Sequence, residues 1–223
     1  MSTELLATIE LETRPDPTAA VIWMHGLGAD GNDFVPIVDE LELPDGLGIR
    51  FIFPHAPMRP VTINGGAVMR AWYDIVGTDL TNRGDEAGIR DSQRRAEQLI
   101  AREKERGIPA SRLVLAGFSQ GGVIALQTGL RHPERLAGIM ALSTYLALPQ
   151  TLAAEAHPAN ADVPIFMAHG TADPMIRLDW AEASRRALQA NGHSVEWHTY
   201  PMQHSVCIEE VDAIAAWLAR VLG

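Results

Sequence analysis

One serine in this sequence has the surroundings of an enzymatic nucleophile. Ser119 is the central residue of Gly117-Phe-Ser-Gln-Gly121, which follows an apolar run and opens a helix-like segment. A sharp turn between a strand and a helix strains its central residue, and glycines two positions away let neighbouring segments approach closely. The pattern predicts that Ser119 is a nucleophile. A glycine-rich turn with an idle serine is the alternative.

A serine hydroxyl is a weak nucleophile near neutral pH, so it needs a base and a carboxylate that orients the base. Asp173 follows the apolar run 163–168, and His204 follows the run 195–200, so both come after predicted strands. The chain order Ser, Asp, His is the one expected with such a turn. We therefore predict His204 as the base and Asp173 as its partner. The alternatives are a turn-initiating aspartate and a histidine that caps the last helix.

Acyl transfer also requires N–H donors for the oxyanion of the tetrahedral intermediate. The flexible segment His25-Gly-Leu-Gly-Ala-Asp-Gly31 follows the apolar run 20–24. It lacks the Lys-Ser/Thr ending of a phosphate-binding loop and the full spacing of a dinucleotide fingerprint. We predict the backbone N–H of Leu27 as one donor and that of Gln120, at a helix start, as the other.

Metal and thiol chemistry find little support in the sequence. No His-x-x-x-His, His-Glu-x-x-His or paired-cysteine spacing occurs, so we predict neither a metal nor a cofactor. The single cysteine, Cys207, lies near His204 but has no strand-turn-helix context, and it reads more simply as a core residue. One cysteine cannot form an internal disulfide, and the first residues do not resemble a secretory signal, so we predict a cytoplasmic protein.

The elements that must position these residues alternate along the chain. Short apolar runs alternate with helix-periodic segments, which predicts an α/β fold with a mostly parallel central sheet and helices on both faces. We predict one domain over residues 1–223, with an irregular stretch at 54–66. The predicted strands are 20–24, 49–53, 113–118, 136–142, 163–168 and 195–200, and the predicted helices are 89–105, 179–190 and 209–222.

Composition excludes several classes of function. The 223 residues are 47% hydrophobic and carry a formal net charge of −10, so the chain repels phosphate backbones and anionic lipid surfaces. Nucleic acid is therefore not a predicted partner. No apolar run approaches the roughly 20 residues that cross a bilayer, so we predict no transmembrane segment.

The segment between the predicted strands that end at residue 142 and begin at residue 163 is too short for a helical cap domain. We therefore predict an open cleft bordered by the apolar loop 54–72. Within that loop Met69 and Trp72 are the predicted substrate-binding residues, and a contact between two copies of the chain is the alternative for the same apolar set. The other groove candidates are Met58, Val61, Ile63 and Val68.

Six motifs taken together resemble the carboxylesterase and acyl-protein thioesterase family of α/β-hydrolases. The resemblance covers nearly the whole chain and implies a triad of Ser119, Asp173 and His204 with an oxyanion hole from Leu27 and Gln120. It also implies that homodimers are common. The motifs are His25-Gly-Leu-Gly-Ala-Asp-Gly, Pro54-His-Ala-Pro, Arg70-Ala-Trp-Tyr-Asp, Gly117-Phe-Ser-Gln-Gly-Gly, His169-Gly-Thr-Ala-Asp-Pro and Gln203-His204.

The function predicted from the sequence is that of a serine carboxylic-ester hydrolase for short- to medium-chain acyl esters, acting on a small-molecule or lipid-like ester without a cofactor. An acyl-protein thioesterase or lysophospholipase using the same site is an alternative. A non-catalytic binding protein on the same fold is another, and the triad alone does not separate an esterase from an amidase or peptidase.

Overall fold

The computed structural model describes residues 4–77 and 85–223. In these residues a seven-stranded sheet is formed by β1 (Thr8–Glu12), β2 (Ala19–Met24), β3 (Ile49–Pro54), β6 (Leu113–Phe118), β7 (Gly138–Leu142), β8 (Ile165–Gly170) and β9 (Val195–Tyr200). The spatial order is β1-β3-β2-β6-β7-β8-β9. Only β1 runs antiparallel to its neighbour, and the other pairs are parallel. The predicted mostly parallel sheet is therefore confirmed.

Helices cover both faces of this sheet. Alternate residues of β2 point to opposite sides, so Ile22 joins one apolar cluster with residues of α2, α3 and α5, whereas Val21 joins another with residues of α6. Because both faces are covered, β2, β3, β7 and β8 are buried throughout. The helices are α1 (Ile37–Glu40), α2 (Glu86–Glu105), α3 (Gln120–Gly129), α4 (Pro149–Glu155), α5 (Leu178–Ala190) and α6 (Ile208–Leu222).

The prediction of an irregular stretch from 54 to 66 is wrong. The segment contains β4 (Met58–Val61), which pairs antiparallel with β5 (Ala67–Arg70) across a 3-10 turn at Thr62–Asn64. Gly65 and Gly66 both have positive φ, which lets the chain reverse there. Pro60 is tolerated because this small sheet has only two strands, so each strand has a free edge.

Two strands begin later than the sequence predicts. β7 starts at Gly138 rather than Leu136, and β8 starts at Ile165 rather than Val163. Leu136 and Val163 are buried, but Asn160 takes up their backbone N–H groups. Its side-chain oxygen accepts from Leu136 N at 2.9 Å and its carbonyl accepts from Val163 N at 3.3 Å. A single buried asparagine therefore takes up the N–H group of the first predicted residue of each strand.

The segment between β7 and β8 carries no cap. Residues 143–164 hold α4 and a 3-10 turn at Pro158–Asn160, which is far less than a helical domain. The carboxyl ends of the central strands are therefore left uncovered on this side. Across residues 4–77 and 85–223, none of the helices combines the length and apolar character needed to cross a bilayer.

Candidate active site

Ser119 occupies a strained turn between β6 and α3. Its φ of 56° and ψ of −119° lie in a region that side chains rarely adopt. The turn is tight because a Cβ on Gly117 would lie 2.2 Å from the carbonyl carbon of Gly121. Backbone hydrogen bonds hold it: Ser119 N donates to the Leu142 carbonyl at 2.9 Å, and the Ser119 carbonyl accepts from Thr144 Oγ1 at 2.7 Å. The geometry is that of a nucleophile elbow.

Asp173 and His204 come together although 31 residues separate them in the sequence. His204 Nδ1 lies 2.6 Å from Asp173 Oδ2. The other carboxylate oxygen accepts from the backbone N–H groups of Met175 and Ile176, at 2.8 and 2.9 Å. Burial by itself would raise the pKa of Asp173, but the hydrogen bonds from His204 and from these N–H groups outweigh burial and hold the pKa below its usual value. Asp173 therefore stays ionised and orients the imidazole.

His169 supports the turn that contains Asp173. It is fully buried, and its Nε2 donates to the Ile176 carbonyl at 2.8 Å while lying 3.6 Å from Asp173 Oδ2. Burial lowers the pKa of His169 even though the nearby carboxylate acts in the opposite sense. The imidazole of His169 is thus neutral near pH 7. It stabilises the turn through its hydrogen bond to Ile176, while His204 makes the shorter contact with the carboxylate of Asp173.

His25 and Cys207 are poorly placed for catalysis. The Nε2 of His25 already accepts from Ala56 N at 3.1 Å, and its Nδ1 lies 2.7 Å from the Gly26 carbonyl. Burial lowers the pKa of His25 to about 4. For Cys207, burial raises the thiol pKa, which leaves little thiolate at neutral pH. Both ring nitrogens of His25 are therefore engaged with loop backbone.

A cavity of about 460 Å³ opens beside Ser119. Ser119 and His204 both line it, as do Leu27 and Gln120, so the structure brings both predicted oxyanion residues to the same wall as the elbow. The cavity has the size typical of a small-molecule site. Apart from the polar Asn64 and Asp33, much of its remaining wall is apolar or aromatic, with contributions from Ile63, Met69, Tyr73, Ile75, Phe118, Tyr145, Met175 and Ile176.

Trp72 does not line this cavity, in contrast to the sequence prediction. Its side chain is fully buried, and the indole Nε1 donates to the His25 carbonyl at 2.9 Å. Met69 does line the cavity, where its sulfur accepts from Asn64 Nδ2 at 3.4 Å. Of the other loop candidates, Ile63 contributes to the wall, Val61 is buried, and Met58 and Val68 are exposed outside it.

Several cavity residues were missed by the sequence analysis. Tyr145 and Tyr73 share a hydrogen bond between their hydroxyls at 2.9 Å, although 72 residues separate them. Met175 and Ile176 enter the wall because they follow Asp173 in the same turn. The motif that contains Asp173 is a signal for these two, whereas no local pattern marks Tyr145. In residues 4–77 and 85–223, no three His, Cys, Asp or Glu side chains converge as metal ligands would.

This chain is similar in sequence to a known family of hydrolases. The phospholipase/carboxylesterase family model matches residues 7–222. Acyl-protein thioesterase 1 of Neurospora crassa is 44% identical over 215 residues, covering 92% of this chain and 87% of the relative.

Two solved structures have the same fold. SOBER1 of Arabidopsis thaliana superposes with a TM-score of 0.87 at 28% identity, covering 92% of this chain and 99% of that one. Acyl-protein thioesterase 2 of Zea mays superposes with a TM-score of 0.83 at 29% identity, covering 96% and 99%. The elbow, the apolar cavity and these similarities agree, and the chain belongs to the phospholipase/carboxylesterase family of α/β-hydrolases.

Proposed function

We propose that this protein is a serine hydrolase that cleaves short- and medium-chain acyl esters through an acyl-enzyme intermediate. One observation carries the proposal. The hydrogen-bonded pair of His204 and Asp173 reaches the same apolar cavity as Ser119, which is held at the strained centre of its turn. A base, an oriented carboxylate and a projecting hydroxyl beside an apolar cavity are the components of acyl transfer.

In the first half-reaction, Ser119 Oγ forms a bond to the acyl carbon while His204 Nε2 takes the hydroxyl proton. The carbonyl oxygen becomes an oxyanion, and the N–H groups of Leu27 and Gln120 stabilise it. The intermediate then collapses, the bond to the leaving group breaks, and His204 returns the proton to the leaving oxygen or sulfur. Asp173 stabilises the imidazolium throughout and does not itself take the proton.

In the second half-reaction, water replaces the leaving group. His204 removes a proton from the water as its oxygen attacks the acyl carbon, and a second oxyanion forms in the same place. Collapse returns the proton to Ser119 Oγ and releases the carboxylic acid. Water is the only reactant these steps add, and none of them calls for a metal, so chelators should leave the rate unchanged.

Thioesters are the second substrate class that we propose. The observation behind it is that a relative 44% identical over 92% of this chain is named acyl-protein thioesterase 1. A thiolate is a better leaving group than an alkoxide, so the same residues would cleave both bonds. The segment between β7 and β8 carries no cap over the cavity, which leaves room for a bulky leaving group such as a peptide.

The proposal is tested with Ser119→Ala and a matched control, Ser111→Ala. Ser111 is an exposed serine before the opposite end of β6. We expect a fluorophosphonate probe to label the wild type and the control but not the Ser119 variant. On a panel of oxygen esters and thioesters, the variant should lose several orders of magnitude in kcat with an unchanged fold.

Two results would count against the proposal. Labelling that persists in the Ser119 variant would move the nucleophile elsewhere. A wild-type chain that binds acyl compounds but turns over neither ester class would favour the non-catalytic binding protein instead.

A further inference from the structure

The two proposed oxyanion donors lie beyond the part of the sheet that could fix their separation. β2 and β6 are neighbours, and their ladder ends at the pair of Met24 and Gly117. Leu27 and Gln120 each follow three residues after this pair. A parallel ladder sets the spacing of the residues that it pairs, and beyond its last rung other contacts must do so.

The side-chain amide of Gln120 makes such contacts. Its Oε1 accepts from the Trp72 backbone N at 3.0 Å, and its Nε2 donates to the Tyr73 carbonyl at 2.9 Å. The residue is only 3% exposed. Rotation of this side chain would leave its own amide and two backbone groups buried without partners, which is strongly unfavourable. The helix start at Gln120 is therefore fastened to residues 72–73.

Trp72 also contacts the segment that contains the other proposed donor, Leu27. Its indole Nε1 donates to the His25 carbonyl at 2.9 Å, two residues before Leu27. One residue after Leu27, Gly28 N donates to the Arg70 carbonyl at 2.9 Å. The segment that contains the first donor is thus hydrogen-bonded to residues 70–72 on both sides of Leu27.

We propose that residues 70–73 form a bridge between the two oxyanion donors, and that Trp72 and the side chain of Gln120 are the positioning residues of this bridge. The inference rests on the proposed function, since it assigns no new reaction. A second contact limits the spacing from the other side, because a Cβ on Gly121 would lie 2.1 Å from the Met24 carbonyl oxygen. The two segments already touch there, and the bridge keeps them from moving apart.

A bridge of this kind should act on the transition state and not on substrate binding. The oxyanion exists only in the tetrahedral state, so a displaced donor lowers kcat and the affinity for transition-state analogues. Complete loss of one donor costs about 100-fold to 1,000-fold in kcat. Breaking the bridge displaces a donor without deleting it, so we expect losses of about 10-fold to 100-fold.

The test uses two variants with matched controls. Trp72→Phe removes the indole N–H and keeps an aromatic ring, and Gln120→Met removes the amide while the backbone N–H remains. Trp23→Phe is the control for the first, because the buried Trp23 Nε1 has no hydrogen-bond partner among the described residues. Gln127→Met is the control for the second, because Gln127 is also buried on α3 and its side-chain amide donates to Gln93 at 3.0 Å, away from residues 70–73.

Four quantities are measured: kcat and KM for an activated ester, the inhibition constant of a trifluoromethyl ketone that adds to the serine, and the dissociation constant of an unreactive ether analogue. In both bridge variants kcat and ketone affinity should fall by the same factor, while KM and ether binding stay within about twofold. The controls should keep all four values. The double variant should lose little more than the worse single variant, because both act through one bridge.

Circular dichroism and melting curves establish whether each variant is folded. If one of the two bridge variants fails to fold, the other bridge variant provides the test. Folded bridge variants with the kcat and ketone affinity of the controls would overturn the bridge. Equal losses in KM and ether binding would also overturn it, because they indicate a general disturbance of the cleft. A wild type that neither hydrolyses esters nor binds the ketone would overturn the proposed function first, and the bridge with it.

Discussion

Replacing Glu210 by Gln should remove a large pH dependence from the stability of this protein. Glu210 lies in the first turn of α6, and its side chain is fully buried. Neither carboxyl oxygen has a hydrogen-bond partner of good geometry among the described residues, and the Cys207 backbone N–H is the polar group that favours the ionised form. Burial outweighs this N–H and raises the pKa of Glu210 to about 8.

The sign and size of the effect follow from that pKa. Below the ordinary value of 4.5 the carboxyl is protonated in the folded and unfolded chains alike. Between 4.5 and about 8 the unfolded chain releases the proton while the folded chain keeps it, so the free energy of unfolding decreases as the pH rises. The slope is about 1.4 kcal/mol per pH unit. From about pH 5 to pH 8 the loss is on the order of 4 kcal/mol, and above that it is constant.

Urea unfolding followed by tryptophan fluorescence, at several values between about pH 5 and pH 9, measures this directly. The free energy of unfolding of Glu210→Gln relative to wild type should increase by about 4 kcal/mol across the range, because only the wild type carries the titrating group. Glu209→Gln is the matched control, since Glu209 is exposed in the same turn. Parallel curves for wild type and Glu210→Gln would refute the reasoning.

Four further outcomes are expected. Gly121→Ala should destabilise the fold by about 3 kcal/mol in urea unfolding, because the new Cβ would lie 2.1 Å from the Met24 carbonyl oxygen. An unchanged midpoint would show that the segments containing Met24 and Gly121 can separate. Glu103→Gln should cost about 3 kcal/mol in urea unfolding, because the fully buried carboxylate pairs with the guanidinium groups of Arg50, Arg102 and Arg106 at 2.8 to 3.0 Å; wild-type stability would mean that Glu12, at 2.9 Å from Arg50, and solvent compensate the lost charge. In the wild type, kcat/KM should rise up to about fourfold per added acyl methylene and then level off, and Met69→Ala should flatten this rise while sparing acetyl esters. Activity lost in EDTA and restored by zinc would contradict the metal-free mechanism.

The parts of the site that could be predicted from the sequence are those set by local patterns. The turn at Ser119 depends on glycines two residues away and on the strand and helix beside it, all of which can be recognised within ten residues. The same holds for the placement of Asp173 and His204 after strands. The role of Ser119 is a prediction that Ser119→Ala tests, and the roles of Asp173 and His204 stay predictions.

Contacts between distant segments account for what the sequence analysis missed. Trp72 is predicted to line the groove because it is aromatic and lies in an apolar loop. In the structure its indole N–H donates to the His25 carbonyl and its ring is buried. No local pattern indicates such a partner. β1 is a different case, because it is not among the predicted strands although its sequence indicates one. Thr8–Glu12 alternates polar and apolar residues, as a half-buried edge strand does.

The position of His204 after β9 has a consequence for how the protein loses activity. β9 stands at the edge of the sheet and is largely half-buried, whereas the strands that lead to Ser119 and Leu27 are central and buried. Edge strands open locally at lower free energy than central ones. Fraying of β9 would carry the proposed base, His204, away while the proposed nucleophile, Ser119, stays in place. Under mild denaturant, activity should therefore disappear reversibly before the core unfolds, and amide hydrogens of β9 should exchange ahead of those in β6.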